Sequence, residues 1–246
     1  MRLSANLGFL FTDLPLTQAV AAAAGAGFGA VECHWPYDTP REALRAACTE
    51  AGVALLGLNT RKGGEGEFGL AALPGREPAA QTEIDLAIRY ARAAGGTAVH
   101  VMAGLGGDAR VFADNLAYAA QARDLTILIE PINTRDVPGY HLASTRDAMA
   151  LQDRVGADNL KIMFDCYHQQ IIEGDLFTRA TSMLDRIGHI QIAAVPDRGE
   201  PDAGEVNYPW LLPALCDAGY AGWFGAEYRP RAGGTAPGLG WLDRFA

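Results

Sequence analysis

The sequence predicts an α/β fold, a single-domain (β/α)8 TIM barrel over residues 1–246. Three observations predict it. Apolar, β-branched runs recur at intervals of roughly 25 to 35 residues, and segments of helical period lie between them. Eight such runs fit into 246 residues, and eight βα units in about 250 residues is the arithmetic of this barrel. No linker or shift of composition divides the chain. A doubly wound sheet would carry fewer strands and a glycine-rich first turn that follows a strand.

Residues 3–9 alternate Leu3, Ala5, Leu7 and Phe9 and predict the first strand. Residues 14–31 carry no charge, which is about the length of a membrane span. They contain Pro15, Thr17 and Gln18, however, and their apolar content is mostly alanine. A small-residue helix ended by Gly25, Gly27 and Gly29 fits them better, and it leads into a strand at 30–33. These glycines follow a helix, the reverse of a nucleotide-binding loop. A helix at 40–50 and a strand at 54–59 follow. Residues 63–75 are glycine-rich and irregular, the composition of a lid, a binding loop or a loose surface excursion. Helical patterns at 79–94, 108–122, 144–153, 175–185 and 208–217 then alternate with strand patterns at 97–102, 126–130, 161–165, 189–193 and 223–227.

Composition narrows the function classes. A net charge of −9 opposes nucleic acid, whose phosphates it would repel. The four cysteines, Cys33, Cys48, Cys166 and Cys216, form no C-x-x-C unit. They read as reduced thiols of a cytoplasmic protein. The N-terminal residues have no long apolar stretch and no small-residue cleavage site, so no signal peptide is expected. No membrane association is expected, and oligomeric state is left open, a homo-oligomer included.

In this barrel the chemistry sits at the C-terminal ends of the strands. The fifth strand ends at Glu130, with Asn133 beyond it. The sixth ends at Asp165, with His168 three residues on; the seventh carries Gln191; the eighth ends at Glu227. A lone carboxylate at a strand end is more often a cap or an ion-pair partner. Four oxygen-bearing side chains on consecutive strands, about 4.8 Å apart, converge on one mouth. These strand segments hold no basic residue that reaches the mouth, so a divalent cation is the simplest neutraliser. Oxygen donors suit a hard ion, Mg²⁺ or Mn²⁺. His168 is placed to bind substrate or metal. His34 and His100 are placed to line the opposite wall, and His189 lies on the face of Gln191 as a packed polar residue. Arg198 lies in the loop after the seventh strand, with Arg229 and Arg231 past Glu227. Any of the three would suit a substrate carboxylate, as a bidentate donor.

Several segments carry a resemblance: HVMAG (100–104), IEPIN (129–133), FDCYHQQ (164–170), GHIQIAAVPDRGEPDAGEVNY (188–208) and GYAGWFGAEYRP (219–230). With GLAALPGRE (69–77) and GLGWL (238–242), they make the chain similar to the hydroxypyruvate isomerase family over essentially its whole length. The resemblance implies a xylose-isomerase-like barrel with a divalent metal held by Glu130, Asp165, Gln191 and Glu227. It implies Glu130 and Glu227 as the catalytic proton donor and acceptor. It also implies a small 2-oxo acid substrate, with hydroxypyruvate and 2-hydroxy-3-oxopropanoate interconverted. His168 and Arg198 are then the expected substrate-binding residues. A sister group isomerises 2-oxo-tetronate and shares these motifs. The pair Cys166-Tyr167 departs from the more apolar pair expected there and bears on pocket shape. A sugar epimerase or dehydratase on the same scaffold, or a ligand-binding barrel without catalysis, is the rival reading.

Overall fold

Strand patterns that are apolar on both faces need cover on both faces, and a closed parallel barrel ringed by helices supplies it. In the computed structural model, which describes residues 1–245, the strands are β1 (Leu3–Asn6), β2 (Ala30–Cys33), β3 (Ala54–Asn59), β4 (Ala98–His100), β5 (Thr126–Ile129), β6 (Leu160–Asp165), β7 (Ile187–Ile192) and β8 (Phe224–Ala226). They pair in sequence order, all parallel, and β8 closes onto β1 through Leu3 opposite Phe224. The helices are α1 (Leu16–Gly25), α2 (Arg41–Ala51), α3 (Glu77–Ala94), α4 (Ala109–Ala119), α5 (Thr145–Val155), α6 (Cys166–Ile172), α7 (Leu176–Ser182) and α8 (Tyr208–Asp217). The expected single-domain (β/α)8 barrel is the observed fold.

Local chemistry sets the helix ends. Ser144 and Asp108 cap α5 and α4 by accepting backbone N–H bonds. Gly52, Gly95 and Gly156 end α2, α3 and α5 in the left-handed conformation. The alanine-rich segment is α1, whose buried face is Ala19, Val20 and Ala23. Among the described residues, no helix is long and apolar enough to cross a membrane.

The first strand and the glycine-rich stretch differ from the sequence expectation, and α6 follows β6 where no helix was expected. The first strand stops at Asn6, because the N–H groups of Phe9 and Leu10 turn back to the Asn6 carbonyl. This places Phe9 on a turn above the barrel instead of in the sheet. The glycine-rich stretch at 63–75 is not a loose excursion along its second half. The N–H groups of Ala71 and Ala72 bond to the carbonyls of Met102 and Ala103, and Leu70, Ala71 and Ala72 are buried. Gly69 permits this approach, since a Cβ there would overlap the Met102 carbonyl oxygen.

Candidate active site

The four strand-end oxygens converge. Glu130 immediately follows β5, Asp165 ends β6, Gln191 lies in β7 and Glu227 immediately follows β8. All four are buried. Asp165 also caps α6 by accepting the Tyr167 N–H at 2.8 Å, so the helix start orients the carboxylate. His34, at the end of β2, meets Glu227 with Nε2 2.8 Å from Oε1. His100, from β4, holds Nδ1 3.8 Å from Glu130 Oε2. The opposite wall is thus made of the two histidines expected there.

One element of the charge argument changes. A basic residue does reach the mouth, from a loop instead of a strand. Arg198 Nη2 stands 3.2 Å from Asp165 Oδ2 and 3.2 Å from Glu227 Oε2. Its guanidinium is clamped between two rings, 4.9 Å from the Phe9 centroid and 4.8 Å from that of Tyr167. The other two candidates are placed differently. Arg231 is occupied by Asp197, Glu200 and Asp202, and Arg229 is exposed. The acid-rich loop after β7 therefore serves Arg231, and Arg198 alone of the three joins the carboxylate cluster.

One guanidinium does not balance three buried carboxylates. Burial, with the nearby charges of Glu227 and Asp165, pushes the Glu130 carboxyl well above its usual range. Burial likewise lifts Asp165 to about 7, against the opposing pull of Arg198. Glu130 Oε1 and Gln191 Oε1 are buried without a hydrogen-bond partner among the described residues, and Glu227 Oε2 has only its ion-pair contact with Arg198. Buried polar atoms are rarely left so. Acceptor oxygens that share a pocket and lack donors fit a hard divalent cation. Ligand atoms of Glu130, Asp165 and His168 also lie within 4.8 Å of one another, a grouping that could hold a metal ion.

The hydrogen bonds of His168 limit its part in such a grouping. Asn133 directs Nδ2 at His168 Nδ1 at 2.6 Å, and its backbone N–H points at the same atom at 3.3 Å. The Asn133 amide is oriented by Asp136, whose N–H bonds Oδ1 at 2.9 Å. With Nδ1 accepting, the proton of the neutral ring sits on Nε2. Burial, with the positive charges of Arg198 and Arg135, keeps His168 neutral. Nε2 is 3.6 Å from both Glu130 Oε1 and Asp165 Oδ2. In this tautomer His168 is a donor facing the cluster.

The model of the xylose isomerase-like TIM barrel family matches residues 20–245. The chain belongs to the xylose isomerase-like TIM barrel family. Within it, this member is 47% identical to a 2-oxo-tetronate isomerase of Cupriavidus necator, over 99% of this chain and 98% of that protein. It is 40% identical to a hydroxypyruvate isomerase of Escherichia coli K12, over 100% of this chain and 99% of that one. A crystal structure described as AP endonuclease, family 2, from Brucella melitensis superposes with a TM-score of 0.94 at 38% identity, covering 99% of this chain and 98% of that one.

In this xylose isomerase-like barrel the sequence reading missed one residue, Glu32 of β2. It is buried and accepts from Ser4 Oγ at 3.0 Å and Gln191 Nε2 at 2.8 Å. It also meets His189 Nε2 at 3.1 Å. Burial would raise its carboxyl, but the His189 charge and these hydrogen bonds outweigh that and lower it. The available signal was a single carboxylate inside the apolar strand AVEC, a position that calls for buried partners.

Proposed function

We propose that this chain is an isomerase that interconverts hydroxypyruvate and 2-hydroxy-3-oxopropanoate by proton transfer between adjacent carbons. The convergence of buried oxygens from Glu130, Asp165, Gln191 and Glu227, of which Glu130 Oε1 and Gln191 Oε1 lack donors, carries the reading. The full-length similarity to isomerases of 2-oxo acids supports it. In this reading residues 1–246 act as one catalytic domain.

Glu130, Asp165, Gln191 and Glu227 would hold a divalent metal, Mg²⁺ or Mn²⁺, which would supply Lewis-acid polarisation of the substrate carbonyl. Glu130 and Glu227 stand on different sides of the mouth, just past β5 and β8. One takes the proton from C3 of hydroxypyruvate and the other delivers a proton to C2. The C3 hydroxyl becomes the aldehyde and the C2 carbonyl becomes the hydroxyl, so a proton also passes between these oxygens. His168, a donor at Nε2, hydrogen-bonds a substrate oxygen. Arg198 receives the substrate carboxylate: its Nε–H has no partner among the described residues, and the Phe9–Tyr167 clamp holds the guanidinium plane. Closure of water from so small a site strengthens each of these contacts.

The partner in this reading is a small 2-oxo acid, with no role for nucleic acid or membrane. Four free cysteines, of which Cys33, Cys48 and Cys166 are buried, support a cytoplasmic setting. A second reading, 2-oxo-tetronate as substrate, is favoured by the Cupriavidus necator relative. Proton NMR of the purified enzyme with each 2-oxo acid separates them. The three-carbon acid should be converted with the higher kcat/KM. Faster conversion of 2-oxo-tetronate selects the second reading. Conversion of neither, by metal-loaded protein, defeats both.

A further inference from the structure

The bore of the barrel holds a cavity of about 280 Å³ that reaches up to Asn6, Asn59 and His100 at the C-terminal ends of β1, β3 and β4. Its rim lies at the N-terminal ends of the strands, where Ala54, Thr97 and Gly188 are exposed. Its walls are Leu56, Ala98, Leu128 and Met163. In this fold the interior is ordinarily filled by layers of bulky, branched side chains. Here Leu56, Leu128 and Met163 line the bore without closing it. Ala98, Leu128 and Met163 form an apolar cluster of their own, separate from the main core. Protein interiors rarely leave voids much larger than a water molecule.

The inner end of this cavity is polar but carries no unpaired charge. Glu32 is met by Ser4, His189 and Gln191. His100 lines the same end and is 3% exposed. Neither of its ring nitrogens has a hydrogen-bond partner among the described residues. Apolar walls below one imidazole with unpartnered ring nitrogens describe a receptor for an uncharged amphiphile. A charged guest would lose its hydration here with no counter-ion to replace it.

We propose that the bore is a binding site for a small uncharged molecule with an apolar body of about one ring and a single hydroxyl head that meets His100. A dry apolar cavity of roughly 150 Å³ is enough to bind benzene, so this bore accommodates a ring and its head. The proposal does not depend on which 2-oxo acid the mouth converts.

Benzyl alcohol is the probe, and toluene is the control without a head. Met163 lines the bore, so ¹³C-methyl methionine NMR of the intact protein reads occupancy directly. We expect a saturable shift of the Met163 methyl with a Kd on the order of 1 mM. Binding of toluene should be weaker, and a 2-oxo acid in the mouth should leave the Met163 shift unchanged. Ala98→Leu, which fills the bore, should weaken the probe about tenfold. Thr126→Phe, at the half-buried rim, should do the same without touching the packed interior. A shift that never saturates means that the bore holds only water and overturns the proposal. So does displacement of the probe by the 2-oxo acid, or equal probe affinity in the wild type and whichever of the two variants folds.

Discussion

Gln191 donates from Nε2 to Glu32 Oε2 across 2.8 Å, which leaves its Oε1 free on the opposite side of the amide, where no donor meets it. Glu32 thus sets which end of the amide faces the carboxylate cluster. Ligands are commonly oriented in this way by a partner behind them. Glu32→Ala should therefore weaken Mg²⁺ or Mn²⁺ binding by about 10- to 100-fold. Isothermal titration of metal into chelator-treated protein checks it. Unchanged metal affinity in a folded variant would remove Glu32 from this role.

The two glutamates just past β5 and β8 should be individually essential. Glu130→Gln and Glu227→Gln each remove a proton carrier while keeping the shape and one side-chain oxygen. Each should lower kcat by about 10² to 10⁴, with circular dichroism and Tm showing an intact fold. A near-normal kcat in either variant assigns proton transfer elsewhere.

Arg198 should act mainly through substrate binding. Arg198→Lys keeps a charge but loses the planar fork and its stacking between Phe9 and Tyr167. KM should rise by about tenfold or more, with a smaller change in kcat. An unchanged KM would mean that the guanidinium serves only Asp165 and Glu227.

Metal removal tests the cation directly. Exhaustive chelation should abolish turnover, and Mg²⁺ or Mn²⁺ should restore it. The circular dichroism spectrum should persist throughout, because the barrel core does not depend on the site. Full turnover by protein shown to be metal-free by mass spectrometry would sink the metal-assisted mechanism.

The Glu32–His189 pair predicts a stability window. Burial disfavours the His189 cation, but Glu32 outweighs it and raises His189 above its ordinary 6.5. That contribution is complete below 6.5 and is lost as pH rises through the raised value. Glu32 is held below its ordinary 4.5, so its contribution is present above 4.5 and is lost as pH falls through the lowered value. The pair stabilises most between about pH 4.5 and 6.5. Removing one member of a buried pair costs about 3–5 kcal/mol. Urea unfolding of wild type and His189→Phe should differ most in that window and least near pH 9. A pH-independent difference would show that His189 acts by packing alone.

The sequence by itself determined the barrel, because its evidence is local and repeated. Strand period, small-residue helices and helix caps recur along the chain, and eight repetitions leave few topologies. It also determined which side chains end β5 to β8, since parallel strands put their C-terminal ends on one face. Only the tertiary structure decided what those side chains meet. Arg198 is 33 residues from Asp165 in sequence, and its approach depends on a loop conformation that no periodicity records. Glu32 and Gln191 are 159 residues apart, and they touch because closure of the barrel brings strands from its two halves across one bore. The His168 proton was settled by Asn133, through a bond between the loop after β5 and helix α6. Burial did the rest: the same carboxylates that water would separate on an open surface are held together in a site where charge must be matched at short range.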